Sequence, residues 1–190
     1  MIRSTKKTFT PTEYLAMERV ADYKSEYYNG EIFAMSGGTP DHNRIAASFI
    51  IELGPPLRAK SCDVFGSDQR LFIKKNEMFT YPDVVVVCGK LEFAPKRKDA
   101  ITNPILLVEV LSESTRAYDR GAKFNSYKQI PTLQEYVLVE SESAQVERYR
   151  RAGELWTIET YDDLDATVRL ESVDGSIPLK QIYSKVSWLE

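Results

Sequence analysis

The sequence predicts a mixed α/β fold in which helices cover a sheet. Two almost entirely apolar runs, 84–88 and 105–108, have the composition of strands that are buried on both faces. A segment with helical start and stop signals, 115–129, separates the second run from a third apolar run at 136–139. Strands interleaved with helices in this way are typical of folds that place helices against a mixed sheet.

We expect one domain, 1–190, because the chain has no internal repeat, low-complexity tract or linker-like segment. Apolar residues make up 43% of the chain and charged residues 28%, which is typical of a globular protein. The net charge of -3 and the pI near 5.4 argue mildly against a protein that coats nucleic acid. They do not argue against an enzyme that contacts a few phosphates around a metal ion.

Several other protein classes are excluded by composition. The two cysteines, Cys62 and Cys88, are too few for a disulfide scaffold and lack zinc-site spacing. The single histidine, His42, excludes zinc sites that need two imidazoles. No apolar run approaches the about 20 residues of a membrane helix, and the first 14 residues lack the apolar stretch of a secretory signal. We therefore expect a reduced, cytoplasmic protein without a membrane partner.

The chain opens with a predicted helix and hairpin. The sequence TPTE at 10–13 is a capping box with proline at the first helical position, which predicts a helix over 11–19. The dipeptide Asn-Gly at 29–30 separates two strand-like runs, 25–28 and 31–35. Asn-Gly in this setting is the strongest short hairpin signal.

A long helix and a β-prone segment come next. The helix is predicted over 40–57, and the prolines at 55–56 should end or kink it. Its apolar stripe consists of Ile45, Phe49, Leu53 and Leu57. The segment 62–73 is β-prone and turns at the polar cluster 74–77. The polar stretch 89–103 between the two buried runs is predicted to be a solvated loop.

The remaining elements complete the predicted order. The helix over 115–129 should stop before Pro131, and the run at 136–139 is one more buried strand. Turn signals at 151–154 and 174–175 predict hairpins in a C-terminal β extension. The expected order of the core is helix, strand, strand, strand, helix, strand.

Two acidic residues stand next to buried strands. Asp83 opens the strand at 84–88, and Glu109 directly follows the run at 105–108. An acid in an apolar strand is costly unless it is paired or bound to a metal. If the two strands are neighbours, both carboxylates converge and, with a carbonyl and waters, suit Mg²⁺ or Mn²⁺. Alternatively, each acid caps a turn or pairs with a lysine.

A lysine on the following helix could face these acids. Asp119, Lys123 and Tyr127 are spaced four residues apart and therefore share one helix face. The alternative is a solvated Asp119–Lys123 pair worth a few tenths of a kcal/mol. Lys128 lies about 140° around the helix from Lys123, at about 100° per residue, so we expect Lys128 to face solvent.

These residues resemble a known group of nucleases. The Pro-Asp pair at 82–83, Glu109 on the next apolar strand, and the spacing of Asp119, Lys123 and Tyr127 resemble the PD-(D/E)XK nuclease superfamily. More narrowly, the chain is similar to the Uma-type putative restriction endonuclease family (domain of unknown function 820). The supporting segments are SEYYNGEIFAM, PDHNRIAASF, YPDVVVV, LLVEVLSESTRAYDRGAKFNSYKQ and LQEYVLVE.

The resemblance implies a restriction-endonuclease-like αβββαβ core and metal-assisted hydrolysis of phosphodiester bonds. It implies that Asp83, Glu109 and the main-chain carbonyl of Val110 hold Mg²⁺ or Mn²⁺. The superfamily commonly has a lysine two residues after the glutamate, but this chain has Leu111 there. The resemblance places the catalytic lysine on the helix instead, at Lys123.

Other residues match the family with less definite roles. Glu26 and Glu31 flank the hairpin turn and match recurring acids, which could complete the site or take a second metal. His42 matches a histidine in the first turn of the long helix; it is either a hydrogen-bonded structural residue or a contact to substrate phosphate. Asp119 and Tyr127 would position the helical lysine.

The sequence thus predicts a metal-dependent endonuclease whose expected substrate is DNA, and cutting a duplex would require two sites and hence a homodimer. One alternative is a catalytically inert nuclease-like module that only binds or regulates, which the acidic pI and Leu111 favour. Another alternative is a hydrolase of small phosphoesters. The basic clusters at 96–98 and 148–151 are either contacts to a nucleic-acid backbone or solvated faces.

Overall fold

Two sheets form the framework of the computed structural model, which describes residues 7–189. Residues 1–6, part of the segment tested for a secretory signal, and residue 190 lie outside the described residues, so the predicted domain 1–190 is described only in part. Within residues 7–189, no helix has the length and apolar character needed to span a membrane.

The helices and strands have the following bounds. The helices are α1 (Pro11–Glu18), α2 (Pro40–Arg58), α3 (Arg116–Tyr118), α4 (Phe124–Tyr127) and α5 (Leu179–Ile182). The first strands are β1 (Ser25–Tyr28), β2 (Glu31–Ala34), β3 (Cys62–Gly66), β4 (Arg70–Ile73), β5 (Met78–Thr80), β6 (Val84–Cys88) and β7 (Ala100–Ile101). The later strands are β8 (Leu106–Leu111), β9 (Glu135–Glu140), β10 (Val146–Ala152), β11 (Leu155–Tyr161), β12 (Thr167–Leu170) and β13 (Gly175–Pro178).

The larger sheet has six strands in the order β11-β10-β9-β8-β6-β3. Strands β8 and β9 are parallel, and their neighbours in this sheet pair antiparallel. The smaller sheet has the order β2-β1-β5-β4-β7, and β12 pairs with β13. Within the larger sheet and its helices, the chain order α2, β3, β6, β8, helical segment 116–127 and β9 gives the predicted αβββαβ core.

Local signals account for the N-terminal elements. Thr10 and Glu13 form the predicted capping box of α1. Asn29 and Gly30 both adopt positive φ angles, 50° and 84°, which a two-residue hairpin between right-twisted strands requires. The helix and the hairpin predicted from the sequence are therefore both confirmed.

The long helix α2 buries its predicted apolar stripe against the larger sheet. The buried residues are Ile45, Phe49, Leu53 and Leu57. The helix does not end at Pro55 and Pro56, as one reading of the sequence required, but continues to Arg58. Both prolines lie near the C-terminal end of the helix, and Ile51, four residues before Pro55, is 65% exposed. Pro55 has no N–H to donate to the carbonyl of Ile51, and water can hydrogen-bond that carbonyl instead.

The β-prone segment 62–73 forms two strands and not one. Gln69 donates its backbone N–H to the carbonyl of Gly66 at 3.0 Å, closing a turn between β3 and β4. Strand β3 pairs with β6 in the larger sheet, whereas β4 pairs with β5 in the smaller sheet. The stretch 89–103, predicted to be a loop, also contributes the short strand β7.

The two cysteines are paired, which corrects the expectation of reduced thiols. Cys62 and Cys88 are direct partners in the antiparallel register of β3 and β6 and form a disulfide. The number and spacing of cysteines did not indicate this pair, because it arises from a strand register that brings together residues 26 positions apart.

The helix predicted over 115–129 is helical over 116–127 and contains a π-helical turn, Asp119–Lys123, between α3 and α4. Its C-terminal end is held by Arg151, whose guanidinium donates to the carbonyls of Lys128 and Ile130. The predicted C-terminal turns are confirmed, with positive φ at Gly153 and Asp174.

Candidate active site

Asp83 directly precedes β6, and Glu109 lies within the neighbouring strand β8. Strands β6 and β8 are antiparallel partners, and their ladder places Val84 opposite Val108. One step further along this register, Asp83 faces Glu109. The Oδ2 atom of Asp83 accepts a hydrogen bond from the backbone N–H of Val110 at 2.8 Å, which fixes this carboxylate against β8.

His42 reaches Asp83 from the first turn of α2. Its Nε2 atom lies 3.3 Å from Oδ2 of Asp83. Burial lowers the pKa of His42, but the hydrogen bond and charge of Asp83 and the Val110 carbonyl together raise it above its ordinary value. Gly38 packs against the ring so closely that a Cβ there would lie 2.7 Å from Nδ1. The imidazole is therefore held in one place.

The start of α2 is fastened by the C-terminal segment. Thr39 caps the helix by accepting from the N–H of His42, and Asp41 accepts hydrogen bonds from the N–H and hydroxyl of Ser187. Residues close to the end of the chain thus help to fix the position of His42.

Lys123 is buried among three carboxylates. Its Nζ lies 2.8 Å from Glu109 Oε1, 3.2 Å from Glu26 Oε1 and 3.4 Å from Asp119 Oδ1. Its side chain is only 7% exposed, so the pair with Asp119 is not the solvated pair that was one reading of the sequence. The hydroxyl of Tyr127 donates to Oε1 of Glu109 at 2.6 Å. Lys123, Asp119 and Tyr127 all contribute to one buried cluster.

Burial and charge shift the pKa values of this cluster in defined directions. Burial raises the pKa of Glu109 well above its usual value, and the charges of Asp119 and Asp83 add to this, while Lys123 opposes it. Burial lowers the pKa of Lys123, but Glu109 and its acidic neighbours raise it well above its usual value. Lys123 is therefore an ammonium at neutral pH.

Glu26 enters the cluster from the smaller sheet. Thr80, on the adjacent strand β5, donates its hydroxyl to Oε1 of Glu26, and Tyr118 donates to Oε2 at 3.3 Å. Glu31 lies nearer the hairpin turn, opposite Tyr28, while Glu26 is opposite Phe33. Neither Thr80 nor Tyr118 was singled out from the sequence, because strand patterns and helical spacing do not indicate a contact with Glu26.

An open cleft runs beside Asp83, between α2 and the β3–β4 turn. The lining residues include Asn43, Ala47, Gly66 and Gln69, and none of the described residues that line the cleft is a lysine or arginine. A phosphate that entered here would find no basic side chain along the cleft walls.

The donor set around Asp83 and Glu109 suits a divalent cation. Within residues 7–189, no group of three or more His, Cys, Asp and Glu side chains is arranged to hold a metal ion by itself. However, hard cations also bind carbonyl and water oxygens. Two carboxylates and the Val110 carbonyl could therefore supply the protein ligands, and water could supply the rest. The site holds four acidic side chains and only two basic ones, and this excess of acids favours a cation. These acids are Glu26, Asp83, Glu109 and Asp119, and the basic groups are Lys123 and His42.

Lys128 and the basic cluster 148–151 lie away from this centre. The half-buried Lys128 places its ammonium 4.9 Å from the ring centre of Phe124. Arg148 is 6% exposed and pairs with Glu135, while Arg150 pairs with Glu171. The cluster is therefore neither a solvated face nor a free surface for a nucleic-acid backbone.

Comparison with known proteins identifies a family and a fold that this chain resembles. Residues 11–178 match the family model Uma2, described as putative restriction endonuclease. Two uncharacterized proteins of Synechocystis sp. are similar: one is 38% identical, covering 81% of this chain and 87% of the relative, and the other is 37% identical, covering 92% and 90%. The crystal structure of a putative nuclease belonging to DUF820 from Anabaena variabilis has a TM-score of 0.77 at 19% identity, covering 96% of this chain and 99% of that one. That structure supports the fold.

Proposed function

Because the chain belongs to the Uma2 family of putative restriction endonucleases, we propose that it is a metal-dependent endonuclease that hydrolyses DNA phosphodiester bonds. The observation that carries the proposal is the convergence of Asp83 and Glu109 on adjacent strands beside a buried lysine. The cleft next to Asp83 supports metal dependence, because its described lining has no basic side chain to neutralise a phosphate.

In this proposal Asp83, Glu109 and the Val110 carbonyl hold Mg²⁺ or Mn²⁺. A bound divalent cation supplies Lewis-acid polarisation of the phosphate and a lowered pKa for coordinated water. The Val110 N–H orients Asp83 toward β8, and Tyr127 orients Glu109 by donating to Oε1. The two acids are thus held in place before a substrate arrives.

The raised pKa of Lys123 argues against a role as general base. A lysine that stays protonated at neutral pH cannot remove a proton from water. It can donate hydrogen bonds and stabilise the negative charge that develops on the phosphate in the transition state. Asp119 holds the lysine from within the helical segment.

The proposal is tested with Asp83→Asn and Glu109→Gln, which change charge but little volume. We expect wild-type protein to nick plasmid DNA with Mg²⁺ or Mn²⁺ and to stop when a chelator is added. Each variant should lose cleavage by at least about 100-fold and lose Mn²⁺ affinity in calorimetry, because each removes a proposed ligand. Lys128→Met is the matched control and should cut normally.

Two outcomes would contradict the proposal. A folded wild-type protein that binds Mn²⁺ but is inert on DNA and RNA would favour the non-catalytic binding module. Activity confined to small phosphoesters would favour the small-substrate hydrolase. Since cutting both strands of a duplex requires two sites, we also propose a homodimer, which sedimentation in the presence of DNA would detect.

A further inference from the structure

The three carboxylates around Lys123 come from different parts of the molecule. Glu109 lies on β8 and is a proposed metal ligand, whereas Glu26 lies on β1 and Asp119 in the helical segment. Glu109 is also the nearest of the three to the ammonium, at 2.8 Å. A divalent cation bound to the same carboxylate would compete with the ammonium for its negative charge and would repel the ammonium.

Glu26 is fixed independently of this competition. Its Oε1 accepts from Thr80 and its Oε2 from Tyr118, so both oxygens have a neutral donor in addition to the contact with Lys123. Thr80 belongs to β5, in the same sheet as Glu26. These two hydrogen bonds can hold the Glu26 carboxylate in position when Glu109 binds a cation.

We propose that Glu26 is a positioning residue that, with Asp119, retains the Lys123 ammonium when a cation takes Glu109. This inference rests on the proposed metal-dependent function. It assigns Glu26 a role through the lysine and not as a ligand of the metal. Two cations repel one another, so a fixed second acceptor for Lys123 lowers the cost of bringing the divalent ion next to it.

The test is a double-mutant cycle on Mn²⁺ affinity, measured by calorimetry with the full chain. The four proteins are wild type, Glu26→Gln, Lys123→Met and the double variant. In the wild-type background, Glu26→Gln should weaken Mn²⁺ binding by about tenfold, because Lys123 is then held more strongly on Glu109. In the Lys123→Met background, the same substitution should change affinity by less than about twofold.

The cycle separates this inference from the proposed function. An equal loss of affinity in both backgrounds would show that Glu26 binds the metal or acts through its charge alone, and it would overturn the inference only. A wild-type protein that binds no Mn²⁺ would overturn the metal-dependent function and the inference together. Lys128→Met should leave Mn²⁺ affinity unchanged.

A second measurement uses the wild-type chain and does not depend on how the Glu26 variant folds. In protein labelled with ¹⁵N-lysine, the Lys123 ammonium signal is assigned by its absence from Lys123→Met. On addition of Mg²⁺ this signal should shift but stay protected from exchange with solvent, because Glu26 and Asp119 still hold the ammonium. Loss of the signal on Mg²⁺ addition would overturn the proposal.

Discussion

Some side chains of the candidate site could be predicted from the sequence and others could not. The resemblance to nucleases pointed to Lys123, and helical spacing put Asp119 and Tyr127 on its face. The structure brings the three residues together in one buried cluster. Thr80 could not be predicted, because its role depends on a contact with Glu26, which lies 54 positions away in the chain. Gly38 lies only four residues before His42, but no sequence pattern indicated that it packs against the imidazole.

Gly38 provides a prediction at this scale. A Cβ at this position would lie 2.7 Å from Nδ1 of His42 and 2.9 Å from its Cγ, so Gly38→Ala forces a shift at this contact, and we expect it to displace the imidazole from Asp83. Plasmid cleavage should fall by about 10- to 100-fold, as expected when a site group is misplaced. Gly37→Ala is the matched control, because a Cβ there meets nothing within 4 Å. Equal activity of the two variants would mean that the position of His42 does not matter.

At the scale of helices and strands, the sequence predicted the elements that are determined by interactions between residues close together in the chain. The capping box, the Asn-Gly hairpin and the stripe of α2 were all readable from the sequence. The division of 62–73 between two sheets and the π-helical turn were not, because long-range pairing and packing decide them. The helical segment 116–127 is fastened to β9 by an ion pair network around Glu140.

Glu140 should contribute stability that depends on pH. Burial raises its pKa, but hydrogen bonds from Arg116 and Arg120 outweigh this and lower the pKa below its ordinary value. A carboxyl whose pKa is lower in the folded state stabilises the fold above its unfolded pKa and loses this contribution as pH falls through the folded value. Glu140→Gln should cost about 1–2 kcal/mol near pH 7, since the arginines are partly exposed.

Urea denaturation of wild type and Glu140→Gln between pH 3 and pH 7 checks this. The difference in unfolding free energy should shrink below about pH 4. Glu154→Gln, in the exposed turn between β10 and β11, should show no such difference at any pH. A difference that stayed constant down to pH 3 would contradict the assignment to ionised Glu140.

At the scale of the whole molecule, two sheets meet beside the site. The chain passes from β5 in the smaller sheet to β6 in the larger one through Tyr81, Pro82 and Asp83. Glu26 comes from one sheet and Glu109 from the other. The candidate site therefore requires both sheets to be docked, although each candidate acid was visible in the sequence.

The Cys62–Cys88 disulfide ties the edge strand β3 to β6 and closes a loop of 26 positions. Reduction should lower the free energy of unfolding by about 2–4 kcal/mol, because the unfolded chain gains freedom. Urea denaturation with and without dithiothreitol measures this change. The double variant Cys62→Ser, Cys88→Ser should be insensitive to the reductant. Identical unfolding of wild type under both conditions would show that the bridge does not stabilise the fold.

The contact between Asp41 and Ser187 bears on how the candidate site can diverge among relatives. The family match ends at residue 178, so Ser187 lies outside it, yet it anchors the turn that carries His42. A chimera that exchanged only the tail beyond residue 178 would leave every matched residue in place and still alter the setting of the histidine. Two relatives that share every matched residue can therefore differ in how this histidine is held, through a segment that lies outside the family match.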